Sequence, residues 1–151
     1  LTHKLEATLN KAGLNAISSS NVVYSIWKKA AFNSVLNTYC ALLDCNVGAF
    51  GSCNNAMTLA TAVVSEFETI SQAKAIPFNK EDVLETIAKA FDPSTSGHHY
   101  PSMHQDLKNG RKTEIDFLNG AISRFGRELN IETPTNTLLQ ELIHSKETLT
   151  A

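Results

Sequence analysis

Five polar residues recur at every fourth position of one apolar-rich stretch: Asn21, Ser25, Lys29, Asn33 and Asn37. Residues four apart lie on one face of an α-helix. An interior Asn costs about 0.6 kcal/mol relative to Ala, so a face that only meets water is more often filled with Glu, Lys and Arg. The amides therefore need another reason to be there.

Lys29, Asn33 and Asn37 span about 12 Å along such a helix, so they could face the same small polar ligand. A carboxamide donates to a carboxylate and accepts from a hydroxyl, and a lysine can transfer a proton. That chemistry suits a hydroxy or keto acid. Periodicity alone favours a plainer structure, in which the amides bond to neighbouring helices and Lys29 reaches water.

Two other helix starts carry polar side chains. Ser102, after Pro101, would lie where free backbone N–H groups favour a negative ligand group. Glu114 would lie in the acidic first turn of a later helix. Without other support, Ser102 would bond only its own backbone, and Glu114 would only complement the helix dipole.

Metal and phosphate sites are not expected. His98, His99, His104 and Asp106 could ligate a metal, but adjacent histidines point in different directions and no second cluster completes a recognised spacing. The seven glycines form neither G-x-G-x-x-G after a strand nor a P-loop. Three cysteines without a C-x-x-C spacing favour reduced thiols in a cytoplasmic protein: Cys40, Cys45 and Cys53.

The elements that must position these residues are all helices. Apolar spacing predicts them over about 5–12, 21–43, 55–75, 79–91, 101–109 and 113–129, with a last helix from Thr133-Pro134 onward. Ser20 or Asn21 could cap the second helix, and Asn79 the fourth. We expect a short extended piece at 15–18, an irregular loop at 44–55 and a polar loop at 92–100.

The composition fits one all-α domain over residues 1–151. The chain is 42% hydrophobic and 19% charged, with a net charge of −2. It is too apolar for disorder and too nearly neutral for an electrostatic nucleic-acid binder, and it has no run of about 20 apolar residues for a membrane span. Because it begins with Leu1, we expect a domain cut from a longer polypeptide or a processed chain.

Two stretches together resemble the C-terminal helical domain of the ketopantoate reductases (2-dehydropantoate 2-reductases). WKKAAFNSVLN, from Trp27 to Asn37, is similar to the family pattern W-x-K-x-x-x-N-x-x-x-N. PSMHQDLKNGRKTEIDFLNG, from Pro101 to Gly120, is similar to S-M-x-Q-D-x-x-x-x-R-x-T-E-I-D-x-x-N-G. The resemblance covers nearly the whole chain.

The resemblance implies an all-α domain of the 6-phosphogluconate-dehydrogenase-C-terminal-like type, with the N-terminal dinucleotide-binding domain of the same polypeptide absent from this chain. It implies NADPH-dependent reduction of ketopantoate, a step in pantothenate and coenzyme A synthesis, in a cleft between the two domains. NADPH would be bound mainly by the absent domain, so this fragment alone should be inactive.

The resemblance also implies a role for each matched residue. Lys29 corresponds to the catalytic lysine, a general acid for the forming alkoxide. Asn33, Asn37 and Ser102 correspond to substrate-binding residues, and Glu114 to a residue that contacts the cofactor. These are the positions that the polar stripe and the helix starts single out independently.

Two departures from the family pattern leave alternatives open. Thr38-Tyr39 follows Asn37 where the family often has proline-leucine, and Pro101 precedes Ser102 where a small hydroxyl residue is usual. Another 2-keto acid could be the substrate, as for a D-2-hydroxyacid dehydrogenase, with NADH as donor. A non-enzymatic helical interaction module is a third interpretation, and long apolar helices could support a homodimer.

Overall fold

All regular secondary structure in the described part of the chain, residues 2–19 and 21–150 of a computed structural model, is helical. The predicted all-α class is confirmed. In chain order the elements are α1 (Thr2–Lys11), α2 (Val22–Leu43), α3 (Val47–Gly51), α4 (Ala56–Ala73), α5 (Lys80–Ala90), α6 (Ser102–Lys108), a 3-10 turn (Ile115–Phe117), α7 (Asn119–Leu129) and α8 (Pro134–Thr150).

Helix α2 is central, since α4, α5, α6 and α8 all pack against it. Its second half is buried on nearly every side, from Ala31 to Ala41. Its first half protrudes, leaving Val22 and Ile26 more than half exposed. The candidate residues of α2 therefore run from the core out towards solvent.

Two apolar clusters hold the helices together. The larger one joins α2, α3, α4 and α5 with part of α7 and α8, and includes Phe50, Phe67 and Ile70. The smaller one joins the end of α2 to α6, α8 and the 3-10 turn; its buried members are Ala41, Met103, Leu107, Ile115, Leu118 and Ile143. This smaller cluster fixes the segments that carry Ser102 and Glu114.

The predicted loop at 44–55 is wrong in part, because it contains the short helix α3. The Asn46 side chain accepts a hydrogen bond of 2.8 Å from the Ala49 amide and so caps the helix. Val47 and Phe50 are buried. Long-range packing thus folds a segment whose glycines and asparagines indicate a loop.

The single long helix predicted from Thr113 to Leu129 is also wrong. The chain forms a 3-10 turn, departs from helical geometry at Leu118 (φ −105°, ψ −102°) and begins α7 at Asn119. The amide and the hydroxyl of Thr113 both donate to Glu147 Oε1 of α8 at 2.7 Å. Thr113, the predicted first residue of the helix, is thus bonded to α8 and lies outside the helices.

The other local predictions differ in outcome. Asn79 caps α5 as expected, its Oδ1 accepting from the Asp82 amide at 2.9 Å. Asn21 lies at the N-cap position of α2 but its side chain makes no capping bond; Ser20 and Leu1 lie outside the described residues. Residues 15–18 form no strand. No helix in the described residues combines the length and apolarity needed to cross a membrane.

Candidate active site

Three of the five predicted site residues line one open cleft of about 280 Å³ between α2 and α6. They are Asn33, Asn37 and Ser102. The other lining residues are His99, Gln105, Asp106 and Arg111. Side chains almost 70 residues apart in the chain thus meet at one polar surface.

Glu114 joins the cleft through two hydrogen bonds to the same oxygen. Asn37 Nδ2 donates to Glu114 Oε1 at 3.1 Å, and Ser102 Oγ donates to it at 3.3 Å. Asn37 is buried, whereas Ser102 and Glu114 are exposed. The carboxylate therefore lies over the amide and the hydroxyl with one side open to solvent.

The backbone around Ser102 and Glu114 is anchored on both sides. Ser102 is the first residue of α6, between the buried Pro101 and the fully buried Met103. Glu114 directly precedes Ile115, which is buried in the smaller cluster. Both polar side chains are thus exposed on segments that apolar neighbours hold in place.

A buried histidine ties α6 to the end of α2. His104 Nε2 lies 2.7 Å from Asp44 Oδ1, and Asp44 follows the last turn of α2 in the left-handed region. The hydrogen bond to His104 is the main cause that lowers the pKa of the Asp44 carboxyl. The two helices that form the cleft are therefore joined at the far end by a polar contact.

Lys29 is not among the residues that line the cleft. It lies one turn before Asn33 on α2, about 6 Å along the helix axis, and its side chain is exposed. Its neighbour Lys28 instead forms an ion pair with Asp82 of α5 at 2.6 Å. Lys29 makes no ion pair or side-chain hydrogen bond with residues 2–19 or 21–150. Its ammonium group is thus available beside the amides.

Four lining residues were not predicted as site residues. Arg111 donates to Asp106 Oδ1 through Nε at 2.9 Å and approaches it through a terminal nitrogen at 2.7 Å. Gln105, Asp106 and Arg111 all belong to the second motif, which is the signal that could have found them. His99 carries no such signal, since it reaches the cleft through a loop whose backbone carbonyl accepts from the Val47 amide of α3.

The two departures from the family pattern do not line the cleft. Thr38 is fully buried, and its hydroxyl donates to Asn119 Oδ1 at 2.8 Å. Tyr39 stacks on Phe50 at 5.2 Å between ring centroids, and burial raises the pKa of its hydroxyl. Pro101 is also buried. These residues can affect the site only indirectly, through packing and hydrogen bonds behind the cleft.

The cleft is electrostatically mixed and rich in donors. The Asn33 amide, the second N–H of Asn37 and the remaining N–H groups of Arg111 can donate to an anion. The Ser102 oxygen, whose own hydrogen is donated to Glu114, can accept from a ligand hydroxyl. In the described part of the chain, no three His, Cys, Asp or Glu side chains are grouped to hold a metal ion. The arrangement fits a small ligand with carboxylate and hydroxyl or carbonyl oxygens.

A larger depression, about 920 Å³, lies between α7 and α8 and contains none of the five predicted residues. It is shallow, and the side chains around it include Arg127, Leu138 and Glu141. It also has amide, hydroxyl and guanidinium groups on its rim, but its exposed lining is mostly apolar, whereas the lining of the cleft between α2 and α6 is mostly polar. The smaller cleft is therefore the better candidate for chemistry.

Comparison with known proteins gives the same assignment. Residues 21–147 match the family described as "Ketopantoate reductase PanE/ApbA C terminal". The chain is 43% identical over 147 residues to a 2-dehydropantoate 2-reductase of Lactococcus lactis and 42% identical to one of Streptococcus pyogenes. These two matches cover 97% and 96% of this chain but only 47% of each relative.

A solved structure of D-mandelate dehydrogenase with NADH and anilino(oxo)acetate is also similar, with 41% identity and a TM-score of 0.93 over 97% of this chain and 48% of that one. The chain thus spans about half the length of the relatives it matches. Since the family match covers most of its residues, the chain belongs to the ketopantoate reductase C-terminal family.

Proposed function

We propose that residues 1–151 form the substrate-binding and catalytic C-terminal domain of an NADPH-dependent 2-dehydropantoate 2-reductase, which converts ketopantoate to pantoate in the cytoplasm. The observation that carries the proposal is the convergence of Asn33, Asn37, Ser102 and Glu114 at one cleft. The named relatives at 42–43% identity support the same reaction.

The site residues have different roles in the reduction of a 2-keto acid. The amides of Asn33 and Asn37 and the hydroxyl of Ser102 bind and orient the carboxylate and the oxygens near the reacting carbon. Lys29 gives a proton to the ketone oxygen as its double bond opens, which yields the hydroxyl of the product. When bound, the nicotinamide supplies the hydride that reaches the ketone carbon.

Glu114 fits a role at the edge of the nicotinamide cofactor. Its carboxylate is exposed, and two hydrogen bonds to Oε1 fix its direction, whereas no group of residues 2–19 or 21–150 donates to Oε2. A carboxylate oxygen can accept from a sugar hydroxyl. We propose that most of the cofactor is bound by an N-terminal dinucleotide-binding domain of the same polypeptide.

A second candidate substrate is an aromatic 2-keto acid, with NADH as donor. D-mandelate dehydrogenase structures resemble this chain at 40–41% identity, with TM-scores of 0.93 and 0.95, and both contain NADH. The two candidates share the fold and differ in specificity.

Steady-state kinetics of the chain joined to its dinucleotide-binding half test both candidates. The measurement compares kcat/KM for ketopantoate and for phenylglyoxylate, each with NADPH and with NADH. Preference for ketopantoate with NADPH supports the first candidate, and preference for phenylglyoxylate with NADH supports the second. No nucleotide oxidation with any 2-keto acid would favour the non-enzymatic interaction module. The predicted homodimer is tested by sedimentation of the same protein.

A further inference from the structure

Helix α2 must hold a fixed rotation about its axis for the cleft to form. The amide groups of Asn33 and Asn37 lie about 5–6 Å from that axis, so a rotation of about 20° would move them by about 2 Å. Displacements of this size are large for binding and catalysis. Apolar contacts are not directional, so something else must select one rotation.

The fully buried side-chain amide of Asn119 forms hydrogen bonds with α2 at two successive turns. Asn119 Nδ2 donates to the Ser34 carbonyl at 3.2 Å, and Asn119 Oδ1 accepts from the Thr38 hydroxyl at 2.8 Å. Ser34 and Thr38 directly follow Asn33 and Asn37 in the chain. Two directional contacts one turn apart fix both the rotation and the axial position of the helix.

The amide of Asn119 is itself held by α8 and α4. Its second N–H donates to Asn136 Oδ1 at 3.0 Å, and Asn136 Nδ2 donates to Glu66 Oε2 at 2.7 Å. The same Glu66 carboxylate accepts from the backbone amides of Thr135 and Asn136 in the first turn of α8. Both donors and the acceptor of Asn119 are thus used, and the chain of bonds ends on a charged group.

We propose that Asn119 is a positioning residue: it holds α2 in the rotation that directs Asn33 and Asn37 into the cleft. The role rests on the proposed function of that cleft. Asn119 acts through Thr38 and Ser34 and does not line the cleft itself. Any other rotation of α2 would leave buried polar atoms of this network without partners, which is costly.

Thr38→Val tests the hydrogen bond between Thr38 and Asn119 with little change in shape, because a methyl group replaces the hydroxyl that donates to Asn119. In the two-domain protein we expect KM for the 2-keto acid to rise about 10-fold while kcat and the KM for the nucleotide change much less. Thr38→Ser restores the donor and should restore KM. Asn119→Ala should behave like Thr38→Val; if it does not fold, Thr38→Val carries the test.

Ser71→Ala is the matched control. It also removes a buried hydroxyl, one that donates to the Glu68 carbonyl within α4 and lies outside the network. It should leave KM unchanged. An equal rise in KM in Ser71→Ala and Thr38→Val would show a general loss of packing and overturn the proposal.

A double-mutant comparison separates positioning from stability. If Asn119 acts through Asn37, Thr38→Val should raise KM less in the Asn37→Ala background than in the wild type. Its effect on the melting temperature should persist in both backgrounds. The same multiplicative rise of KM in both backgrounds would contradict the proposed coupling.

Nuclear magnetic resonance of the 151-residue chain tests the proposal without any activity. Thr38→Val should shift or broaden the side-chain amide signals of Asn33 and Asn37, whereas Thr38→Ser and Ser71→Ala should leave them in place. Unchanged signals in Thr38→Val would overturn the inference. If the signals move but the two-domain protein reduces no 2-keto acid, the proposed function fails and the positioning of the two amides stands.

Discussion

Lys29 is the proposed general acid, and its ammonium group forms no ion pair or hydrogen bond with residues 2–19 or 21–150. Its side chain is exposed on the face of α2 that carries Asn33 and Asn37. A general acid must reach the developing alkoxide without its proton being lost to water, which requires a cover on the open side. We therefore expect Lys29 to become functional only when a second domain closes the cleft.

Lys29→Ala should lower kcat for 2-keto acid reduction in the two-domain protein by about 10²–10⁴-fold, the usual contribution of general acid catalysis. The measurement is the initial rate of nicotinamide oxidation at saturating substrate. Lys28→Ala is the control, because Lys28 is paired with Asp82 on the other side of α2. Near-normal turnover of Lys29→Ala would refute the assignment.

The residue types and spacing predict much of the site, because Lys29, Asn33 and Asn37 need only helical geometry to share a face. The pairing of Asn37 and Ser102 with Glu114 depends on how three elements pack. His99 is beyond sequence reasoning for the same reason, since only the contact of its loop with α3 brings it to the cleft. Local pattern thus predicts candidates, and long-range packing selects their neighbours.

At the scale of elements, the end of α4 carries an alanine where a glycine is usual. Ala75 has φ 52°, and the Ile76 amide donates to the Ser71 carbonyl at 2.8 Å while the Ala75 amide donates to that of Gln72. This is the Schellman pattern, whose left-handed residue is most often glycine. The left-handed backbone strains an L-residue such as alanine.

Ala75→Gly should therefore raise the free energy of unfolding by about 0.5–1 kcal/mol, after the greater freedom of glycine in the unfolded chain is subtracted. For a domain of this size the melting temperature should rise by about 1–4 °C. Ala62→Gly, at an exposed position inside α4, should destabilise by about 0.5–1 kcal/mol. Changes of the same sign in both variants would contradict the explanation.

A polar contact between α2 and α5 should make stability depend on pH. Lys28 donates to Asp82 at 2.6 Å and Tyr24 also donates to this carboxylate; these bonds lower the pKa of Asp82, and Asp82 raises the pKa of Tyr24 to about 12. A carboxyl whose pKa is lowered on folding stabilises the fold above its unfolded pKa, about 3.9. That stability is lost as pH falls through the lower, folded pKa.

Asp82→Asn should lower the melting temperature at pH 7 by a few degrees, since a partly exposed ion pair contributes about 0.5–1 kcal/mol. The difference from the wild type should shrink as pH falls through the folded pKa of Asp82. Glu81→Gln also removes an acid from the first turn of α5 and is the matched control. An equal, pH-independent effect of the two variants would show that the contact with Lys28 and Tyr24 is not responsible.

The elements themselves are predictable where apolar residues recur at helical spacing over several turns, as in α2, α4 and α8. Helical spacing does not predict α3 or the break in helical geometry at Leu118, because both lie where residues distant in the chain come into contact. Asn46 and Val47 fold α3 against the loop that ends at His99. Thr113, the predicted start of a helix, lies instead in an irregular segment that is bonded to Glu147 of α8, and no local periodicity indicates that contact.

At the scale of the whole molecule, apolar side chains are exposed on α1, on the segment after it and on the first half of α2. Leu5, Leu14, Ile17, Val22 and Ile26 are each more than half exposed. The cleft lies further along α2 and is open on one side. Ligand sites usually bury 70–90% of their ligand, which this cleft alone does not provide.

The isolated 151-residue chain should therefore bind ketopantoate weakly, with Kd at about 1 mM or above, because few of the possible contacts are formed. Isothermal titration calorimetry of the chain alone and of the two-domain protein with bound nucleotide makes the comparison. Binding at least about 10-fold tighter in the two-domain protein is expected. Equally tight binding by the isolated chain would show that the domain is self-sufficient.

The packing of α7 keeps an asparagine next to a glycine at the centre of the molecule. A Cβ at Gly120 would lie 2.7 Å from Gln140 Nε2 and 3.2 Å from the Ile115 carbonyl, so a larger residue would displace the Gln140 side chain and crowd this carbonyl. Asn119 is held by its hydrogen bonds to α2 and α8. In a flexible chain this dipeptide is prone to deamidation, because the small glycine lets its amide nitrogen attack the side-chain carbonyl carbon. Helix α7 and the bonds of Asn119 prevent that attack, so the chemical lifetime of this amide depends on the domain staying folded.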